Sequence, residues 1–369
     1  MANETLSKAK TAKNDEFYTQ YHDIEREMEA YLEYDANVFR DKTVLLPCDD
    51  PEWSNFTRYF AQNFERLGLK KLISTSYAPE SKKYKYPVQL TLFETEAPQF
   101  DADKTQTHGK IFVLTHDITG DGRININDLE WEYLNGDGDF RSDEVTKLRD
   151  EADIIVTNPP FSLFREFFSW IMDGKKQFVM IGNKNCMTYK EVFPYVRDNL
   201  VWNGKREWAG GMWFITKNEE DVDKVIDGIN MKNVPSMWLT NIDHGRRHQY
   251  LQLMTTADNF RFSKHKEIKG RVAYIHYENF DAIEVPYTDA IPSDYDGIMG
   301  VPISFLDKYC PEQFVIIGIA EGDSGKELGL KPFPRELKKL NPSLRDGQLY
   351  YIENGKPEKP YARILIRKK

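Results

Sequence analysis

The sequence predicts an α/β fold with a doubly wound sheet whose central strands are parallel. Short apolar runs at Lys42–Pro47, Lys71–Ser76 and Ile154–Val156 alternate with segments of helical periodicity. Strands that alternate with helices need crossover connections, which favour parallel pairing. We therefore expect one main sheet with helices on both of its faces.

The first elements can be assigned in chain order. A helix is predicted over residues 14–40, because apolar residues such as Ile24 and Met28 recur there at helical spacing. The strand Lys42–Pro47 follows. The next helix carries four aromatic residues on one face, namely Phe56, Tyr59, Phe60 and Phe64. The strand Lys71–Ser76 then completes a strand–helix–strand unit.

A polar insert interrupts this alternation at about residues 78–135, although it contains the strand-like run Lys110–Leu114. Beyond the insert, the strand Ile154–Val156 leads into an amphipathic helix from Ser162 to about Met172. A further strand is predicted at Gln177–Gly182, and it continues the parallel sheet.

The pieces Gly211–Thr216 and Ser236–Asn241 are predicted to pair as a closing antiparallel hairpin. Composition changes near residue 242: the remainder is more basic and richer in Tyr and Pro, with a strand at Gln313–Ile319. We therefore predict one domain at residues 1–242 and a second at residues 243–369.

Composition indicates a globular protein of a reducing compartment. The chain has 369 residues, 40% hydrophobic and 30% charged. No apolar run approaches the roughly eighteen residues that a membrane span needs. Residues 1–13 are polar and contain lysine, so we expect no signal peptide. Three scattered cysteines, Cys48, Cys186 and Cys310, favour neither a disulfide framework nor a zinc site, and we expect a cytoplasmic protein.

Charge is unevenly distributed along the chain. The net charge of −9 argues against indiscriminate binding to nucleic acid, although a local basic surface can still bind it. Residues 241–271 hold seven Lys or Arg against three Asp or Glu, and residues 331–369 hold eleven against four. Each region is either a solvated surface or a candidate for contact with a polyanion.

The most informative motif is Asn158-Pro159-Pro160-Phe161, directly after the apolar run Ala152–Thr157. Proline fixes φ and lacks a backbone N–H, so the strand ends in a rigid turn whose carbonyls can accept hydrogen bonds. An amide oxygen, such a carbonyl and an aromatic face suit a planar base with an exocyclic amine. The motif therefore predicts methylation of an amino group on adenine or cytosine; the alternative is a turn that only ends a strand.

Ligands of open parallel sheets bind beyond the carboxyl ends of the strands, and two such ends carry suitable residues. Asp49 and Asp50 follow the first strand, where they could bind a ligand or cap the next helix with Pro51 at its first position. The loop Gly136–Phe140 offers a carboxylate and an aromatic ring. The motifs GxGxxG and GxxxxGK[ST] do not occur, so NAD binding and ATP hydrolysis are poorly supported.

Several segments, taken in order, resemble the EcoRI family of adenine-specific DNA methyltransferases over most of the chain. They are Asn14–Tyr21, Cys48–Pro51, Gly136–Ser142, Thr157–Phe164, Ile181–Asn183, Thr240–His244 and Met299–Ile303. The resemblance implies S-adenosylmethionine as methyl donor, N6 of adenine in DNA as acceptor, and a Rossmann-like S-adenosylmethionine-dependent methyltransferase sheet. It makes residues 1–242 the catalytic domain and residues 243–369 a mixed α/β region for DNA target recognition.

The resemblance also assigns the residues that bind the cofactor. Those near its methionine end are Phe17, Tyr18 and Thr19. The resemblance places Cys48, Asp49 and Asp50 at the position of the glycine-rich first motif. It places Asp139 and Phe140 near the adenine of the cofactor. This chain departs from the usual pattern because that first motif lacks its glycines and the second strand ends in Ser74–Tyr77, without an acidic ligand for the ribose.

The predicted catalytic residues are those of the proline motif: Asn158, Pro159, Pro160 and Phe161. The Asn158 amide oxygen and the Pro159 carbonyl would accept both hydrogens of the adenine amine and so localise its lone pair. Phe161 would stack on an adenine flipped out of the duplex. Transfer would be direct and need no metal. The alternatives are methylation of RNA or of a protein amide, and a non-catalytic DNA-binding protein that retains the fold.

Seven residues with aromatic neighbours are the predicted DNA contacts: Arg246, Arg247, His248, Lys264, Lys266, Lys269 and Arg271. Basic side chains on phosphates would set the affinity and its salt dependence. The expected partner is double-stranded DNA, with no membrane. If a cognate restriction endonuclease is present, the enzyme belongs to a restriction–modification system; otherwise it acts in orphan modification. The resemblance favours a monomer.

Residues 117–128 follow the twelve-position pattern of a calcium-binding EF-hand loop, with glycine at the sixth position. The oxygen-bearing side chains are Asp117, Thr119, Asp121, Asn125 and Asp128. Thr119 is a weak ligand and Asp128 is shorter than the usual glutamate. A metal-free Asp/Gly turn is therefore favoured over a calcium site.

Overall fold

A computed structural model describes the protein at residues 18–48, 54–78, 97–120, 122, 124, 128, 130–216 and 222–369. The chain divides into two compact units. The first comprises Met1–Cys186 and Asn203–His244, and the second comprises Met187–Trp202 and Gly245–Lys369. Both units contain helices and sheets, so the prediction of an α/β fold is confirmed.

The main sheet belongs to the first unit. Its eight strands, in sheet order, are β5 (Glu130–Tyr133), β4 (Lys110–Leu114), β3 (Lys71–Thr75), β2 (Thr43–Pro47), β6 (Ile154–Thr157), β7 (Gln177–Asn183), β12 (Ser236–Thr240) and β8 (Trp202–Asn203). The central strands β3, β2, β6 and β7 are parallel, whereas β4, β5 and β12 are antiparallel to their neighbours. Every residue of β2 and β6 is buried, which is typical of parallel strands covered on both faces.

A smaller sheet in the same unit corrects the predicted closing hairpin. Its strands, in order, are β1 (Tyr18–Thr19), β9 (Met212–Ile215), β11 (Ile229–Val234) and β10 (Lys224–Ile226). The prediction that Gly211–Thr216 pairs with Ser236–Asn241 was wrong, because β9 pairs with β1 and β11 while β12 pairs with β7. The intervening chain forms its own hairpin at Asp227–Gly228, where both φ angles are positive, and thereby supplies β11.

Six described helices accompany these sheets: α1 (Tyr21–Tyr34), α2 (Asn55–Gln62), α3 (Phe64–Leu67), α4 (Lys104–Thr107), α5 (Asp143–Glu151) and α6 (Phe164–Asp173). Ser54 caps α2 and Ser142 caps α5, each by accepting a hydrogen bond from a first-turn N–H. The aromatic face predicted for α2 is buried at Phe56, Tyr59 and Phe60. Each such side chain contributes roughly 1.5–3 kcal/mol by leaving water.

The first helix is shorter than predicted. It covers Tyr21–Tyr34 rather than residues 14–40, of which residues 14–17 lie outside the described part of the chain. Pairing with β9 holds Tyr18–Thr19 as a strand before the helix begins. After the helix, Asp35 is extended, with φ −137° and ψ 103°, and turns follow.

The second unit has a separate four-stranded sheet. Its order is β13 (Ile283–Glu284), β14 (Met299–Pro302), β18 (Arg363–Lys368) and β15 (Phe314–Ala320), and β15 lies one residue beyond the predicted strand. A two-stranded ribbon consists of β16 (Tyr351–Glu353) and β17 (Lys356–Glu358). Its helices include α7 (Phe193–Arg197), α8 (Thr256–Phe262) and α9 (Gly322–Glu327). Across the described residues, no helix has the length and apolar character needed to cross a membrane.

Candidate active site

The carboxyl ends of three neighbouring strands form one edge of the main sheet. Because β3, β2 and β6 run parallel, Thr75, Pro47 and Thr157 lie at the same edge. The buried hydroxyl of Thr157 donates to the Pro47 carbonyl at 2.6 Å. This hydrogen bond fixes the end of β6, which precedes the predicted catalytic motif, against the end of β2, which precedes the predicted cofactor segment Cys48–Asp50.

The proline motif turns the chain from β6 towards α6. Asn158 is half-buried and Pro159 is buried. Pro160, with φ −53° and ψ 124°, leads into one 3-10 turn at Phe161–Leu163 that continues into α6. The ring of Phe161, the first residue of this turn, is half-buried and packs against the hydrophobic core. The side-chain nitrogen of Asn158 donates to the hydroxyl oxygen of Thr19 at 3.4 Å.

Strand β1 thus lies beside this turn and carries part of the predicted cofactor segment. Thr19 is 5% exposed, and its carbonyl accepts a hydrogen bond from Asn55 Nδ2 at 2.8 Å. Asn55 is the first residue of α2, which follows β2, so it ties β1 to the same edge. Tyr18 is half-buried, and Phe17 lies outside the described residues. Asn55 was not predicted as a site residue, because its place directly after the helix cap Ser54 carries no functional signal.

The chain leaves β2 through Cys48, a half-buried residue with φ +72°. This left-handed conformation is one that glycine adopts most readily. A cysteine thus occupies a left-handed position directly after β2. Asp49 and Asp50 lie outside the described residues, and their role at the cofactor stays a prediction.

The Gly136–Phe140 loop packs against the end of β3 at the same edge. The Asp137 carbonyl accepts a hydrogen bond from the Ala78 N–H at 2.7 Å. Gly138 has φ +83°, and a Cβ on it would lie 2.2 Å from the Ser76 carbonyl oxygen. The loop can approach β3 this closely because Gly138 has no side chain. The loop was predicted from the sequence, but its contact with Ser76 was not.

Within this loop, Asp139 and Phe140 have different surroundings. Hydrogen bonds from Arg141, including one of 2.6 Å from Nη2 to Oδ2, lower the pKa of the Asp139 carboxyl and keep it ionised. The Phe140 ring is 4% exposed, and its centroid lies 4.8 Å from that of Phe167 and 5.7 Å from that of Trp170. The ring is thus part of an aromatic cluster under α6, and its predicted contact with the cofactor adenine stays a prediction.

Comparison with known proteins gives the family. The model of a family described as adenine-specific methyltransferase EcoRI matches residues 5–369. The chain belongs to this family. It is therefore an adenine-specific methyltransferase, and the resemblance seen in the sequence is confirmed.

Curated relatives of this EcoRI-family chain are similar to it over most of their length. It is 37% identical to the Type II methyltransferase M.EcoRI of Escherichia coli over 373 residues, which covers 100% of this chain and 97% of that protein. It is 31% identical to the Type II methyltransferase M.MgeORF184P of Mycoplasma genitalium, with 98% of both covered. It is 30% identical to the Type II methyltransferase M.MpnI of Mycoplasma pneumoniae, with 85% and 84% covered. No solved structure matches the chain.

Three of the predicted DNA contacts, Arg246, Arg247 and His248, interact with other side chains of the second unit. Arg246 Nη2 lies 2.9 Å from the Asp307 carboxylate, and the two side chains are only 17% and 10% exposed. The Arg247 guanidinium lies 3.6 Å from the centroid of the Trp202 ring. The His248 imidazole is 2.8 Å from a glutamate carboxylate. These contacts hold all three side chains in place, and contact between them and phosphates stays a prediction.

The second group is more accessible. Lys264 is 2.9 Å from the Asp289 carboxylate but 75% exposed, and Arg271 is 30% exposed. Lys266 and Lys269 are both exposed. Among the predicted contacts, this stretch is therefore the better placed to meet a polyanion from solvent.

The calcium-like loop is only partly described. Asp128 is fully buried, and its Oδ1 accepts hydrogen bonds from the Ile118 and Thr119 N–H groups and from the Thr119 hydroxyl at 2.8–3.1 Å. Asp117 accepts in the same way from the N–H of Gly120 and that of Gly122, at 2.6 and 2.9 Å. Two predicted ligands, Asp121 and Asn125, lie outside the described residues. In the described part of the chain, no cluster of three or more acidic, His or Cys side chains is placed to hold a metal ion.

Proposed function

We propose that this chain transfers a methyl group from S-adenosylmethionine directly to N6 of an adenine flipped out of duplex DNA. The observation that carries the proposal is the junction at the end of β6, where Asn158 lies beside Thr19 and next to the end of β2. The family match over residues 5–369 supplies the reaction class. The central parallel strands would then form a Rossmann-like methyltransferase sheet, with its ligands at the carboxyl edge.

The groups at this edge fit the proposed donor. Asp139 offers a partly exposed carboxylate whose pKa is lowered by hydrogen bonds from Arg141, so it can accept hydrogen bonds at neutral pH. Tyr18 and Thr19 offer an aromatic ring and a hydroxyl beside Asn158. When bound here, S-adenosylmethionine would supply an electrophilic methyl group on a sulfonium centre.

The motif residues would activate and hold the acceptor. The amine of adenine is a poor nucleophile because its lone pair is delocalised into the ring. The amide oxygen of Asn158 and the carbonyl of Pro159 would accept its two hydrogens and turn the lone pair towards the methyl group. Pro160 places no N–H donor in the turn, and Phe161 would stack on the flipped base.

The second unit would supply the contacts that select and hold DNA. Lys264, Lys266, Lys269 and Arg271 would bind phosphates, and few side chains of this unit would read base edges. We propose that residues 243–369 act as the target-recognition region. The enzyme would act as a monomer, within a restriction–modification system if a partner endonuclease is encoded or alone in orphan modification.

The direct test is to incubate the purified protein with duplex DNA and methyl-labelled S-adenosylmethionine and then digest the DNA to nucleosides. The expected result is label in N6-methyladenine alone, and long-read sequencing of DNA from expressing cells should place it in one recurring sequence. Label in cytosine, or label that reaches RNA or protein but not DNA, would contradict the proposal.

A further inference from the structure

The basic residues in the last part of the second unit fall into two groups. Arg335, Arg363 and Lys368 form ion pairs with acidic side chains of the same unit, at 2.8, 2.6 and 3.4 Å. Other basic side chains are exposed, and among the described residues no ion pair involves them. Three of these are Lys338, Lys339 and Lys356.

One of these lysines lies on the two-stranded ribbon. Strands β16 and β17 are antiparallel, and they are joined by Asn354 and Gly355 at φ +51° and +72°. This is the geometry of a tight two-residue hairpin. Glu353 and Lys356 are directly opposite each other in the ladder, so their side chains lie on the same face. A ribbon of two strands is one of the elements that the major groove of B-form DNA can admit.

Two hydrogen bonds connect this ribbon to other basic segments. Arg271 Nη2 donates to Glu353 Oε1 at 2.7 Å, which joins the ribbon to the stretch of predicted DNA contacts that ends at Arg271. Asn341 Nδ2 donates to the Pro357 carbonyl at 3.0 Å. Asn341 closely follows the 3-10 turn Arg335–Lys339, so the ribbon also lies beside Lys338 and Lys339.

Local charge on this surface is positive. Arg271 neutralises Glu353, the acidic residue opposite Lys356. Two other exposed carboxylates remain, Glu358 on the same strand face as Lys356 and Glu336 in the turn that carries Lys338, so three lysines face two carboxylates and the net charge is +1. The whole chain has a net charge of −9, which repels DNA at long range. A concentrated basic surface supplies the local attraction that association with a polyanion requires.

We propose that Lys338, Lys339 and Lys356 form a phosphate-binding surface, the ribbon surface, for duplex DNA that flanks the methylated base. This rests on the proposed function, since it takes DNA as the substrate. Lysine is a flexible point charge, so its contacts position the duplex and do not read sequence. The ribbon surface therefore sets affinity and salt dependence, and other residues set the recognition sequence.

The test compares two triple variants of the full chain that lose the same charge. Lys338→Gln/Lys339→Gln/Lys356→Gln removes the ribbon surface. Lys70→Gln/Lys147→Gln/Lys175→Gln removes three exposed lysines of the first unit. The affinity for a labelled duplex is measured by fluorescence anisotropy over a series of salt concentrations, and methylation is measured at saturating DNA.

In the ribbon variant, the slope of log affinity against log salt concentration is expected to become about 2.7 less negative. Each lost phosphate contact removes about 0.9 from the slope, and three contacts are lost. Lys356→Gln alone should remove about 0.9 of this slope. The first-unit variant should keep the wild-type slope, and the preference for the recognition sequence should be unchanged in all of them.

If the ribbon variant keeps the wild-type slope while the wild-type protein methylates DNA, the three lysines do not bind phosphates. The ribbon surface is then wrong, and the proposed function still stands. A lost sequence preference at an unchanged slope would contradict it too, because the lysines would then read bases. Failure of the wild-type protein to bind or methylate DNA would contradict both proposals.

Discussion

At the scale of single residues, Gly138 shows how the candidate site depends on a missing side chain. A Cβ there would lie 2.2 Å from the Ser76 carbonyl oxygen, and the backbone has φ +83°. We expect Gly138→Ala to destabilise the fold by about 1–3 kcal/mol and to weaken binding of S-adenosylmethionine, because the loop must move away from β3. Urea unfolding and calorimetric titration would measure the two effects.

Gly136 provides the matched control for this prediction. It lies in the same loop, but a Cβ on it would meet nothing within 4 Å, and its φ is not positive. Gly136→Ala should therefore leave stability within about 0.5 kcal/mol of wild type. Equal losses in the two variants would show that the close approach to Ser76 is not what the loop requires.

Single residues also show what the sequence could and could not predict about the site. The place of Asn158 could be predicted, because an apolar strand and two prolines define it locally. Thr157 and Asn55 could not, since their hydrogen bonds reach residues 110 and 36 positions away. Such bonds depend on which strands become neighbours, and no local pattern reports that.

At the scale of elements, α1 is held to the rest of its unit by a buried carboxylate. Glu27 is 2% exposed and accepts hydrogen bonds from the Tyr31 hydroxyl at 2.8 Å, the Lys205 N–H at 2.7 Å and the Arg206 N–H at 3.2 Å. Glu27→Gln replaces one accepting oxygen with an NH2 group that faces another donor. We expect a loss of about 1–3 kcal/mol in the free energy of unfolding, measured in urea.

The same helix offers a control. Glu25 is 47% exposed, and its only ion pair among the described residues is with His22 at 3.6 Å. Glu25→Gln should cost no measurable stability, since exposed pairs contribute little. If it costs as much as Glu27→Gln, the loss arises from the charge of the helix rather than from the buried hydrogen bonds.

The strands show where prediction of elements ends. Apolar runs identified β2, β3, β6 and β7, because burial on both faces leaves a continuous signal. The small sheet was missed, since β1 has only two residues and β10 is exposed throughout. Periodicity could not give its pairing, which arises from the Asp227–Gly228 turn.

At the scale of the whole molecule, each unit contains a buried tyrosine beside a glutamate. Burial, and then the nearby carboxylate, raise the pKa of Tyr31 and of Tyr277 well above the ordinary value of 10.0. The folded state therefore favours the neutral phenol. This contribution to stability is complete below pH 10 and is lost as pH rises above 10 towards the folded-state pKa.

We accordingly expect the free energy of unfolding to fall as the pH rises above about 10. The decline should be shallower in Tyr31→Phe/Tyr277→Phe, which cannot ionise at these positions. Tyr361→Phe, at a residue 93% exposed, should keep the wild-type decline. Identical declines in all three proteins would mean that other groups cause alkaline unfolding.

The family could be predicted for the molecule as a whole because its signature is spread along the chain, from Asn14–Tyr21 to Met299–Ile303. Which segments belong to the second unit was harder to predict. It includes Met187–Trp202, a segment far from the rest of that unit in sequence. Composition changes cannot assign such a segment, because its membership depends on tertiary packing.

The central claim is that the Asn158 amide at the end of β6 drives methyl transfer, and Asn158→Ala tests it most directly. The measurement is the single-turnover rate of adenine methylation, with the affinity for S-adenosylmethionine measured in parallel. Asn37→Ala, at an exposed asparagine after α1, is the control. We predict that Asn158→Ala abolishes transfer while it largely keeps cofactor affinity, and that Asn37→Ala behaves as wild type. Methylation by Asn158→Ala at the wild-type rate would contradict the account.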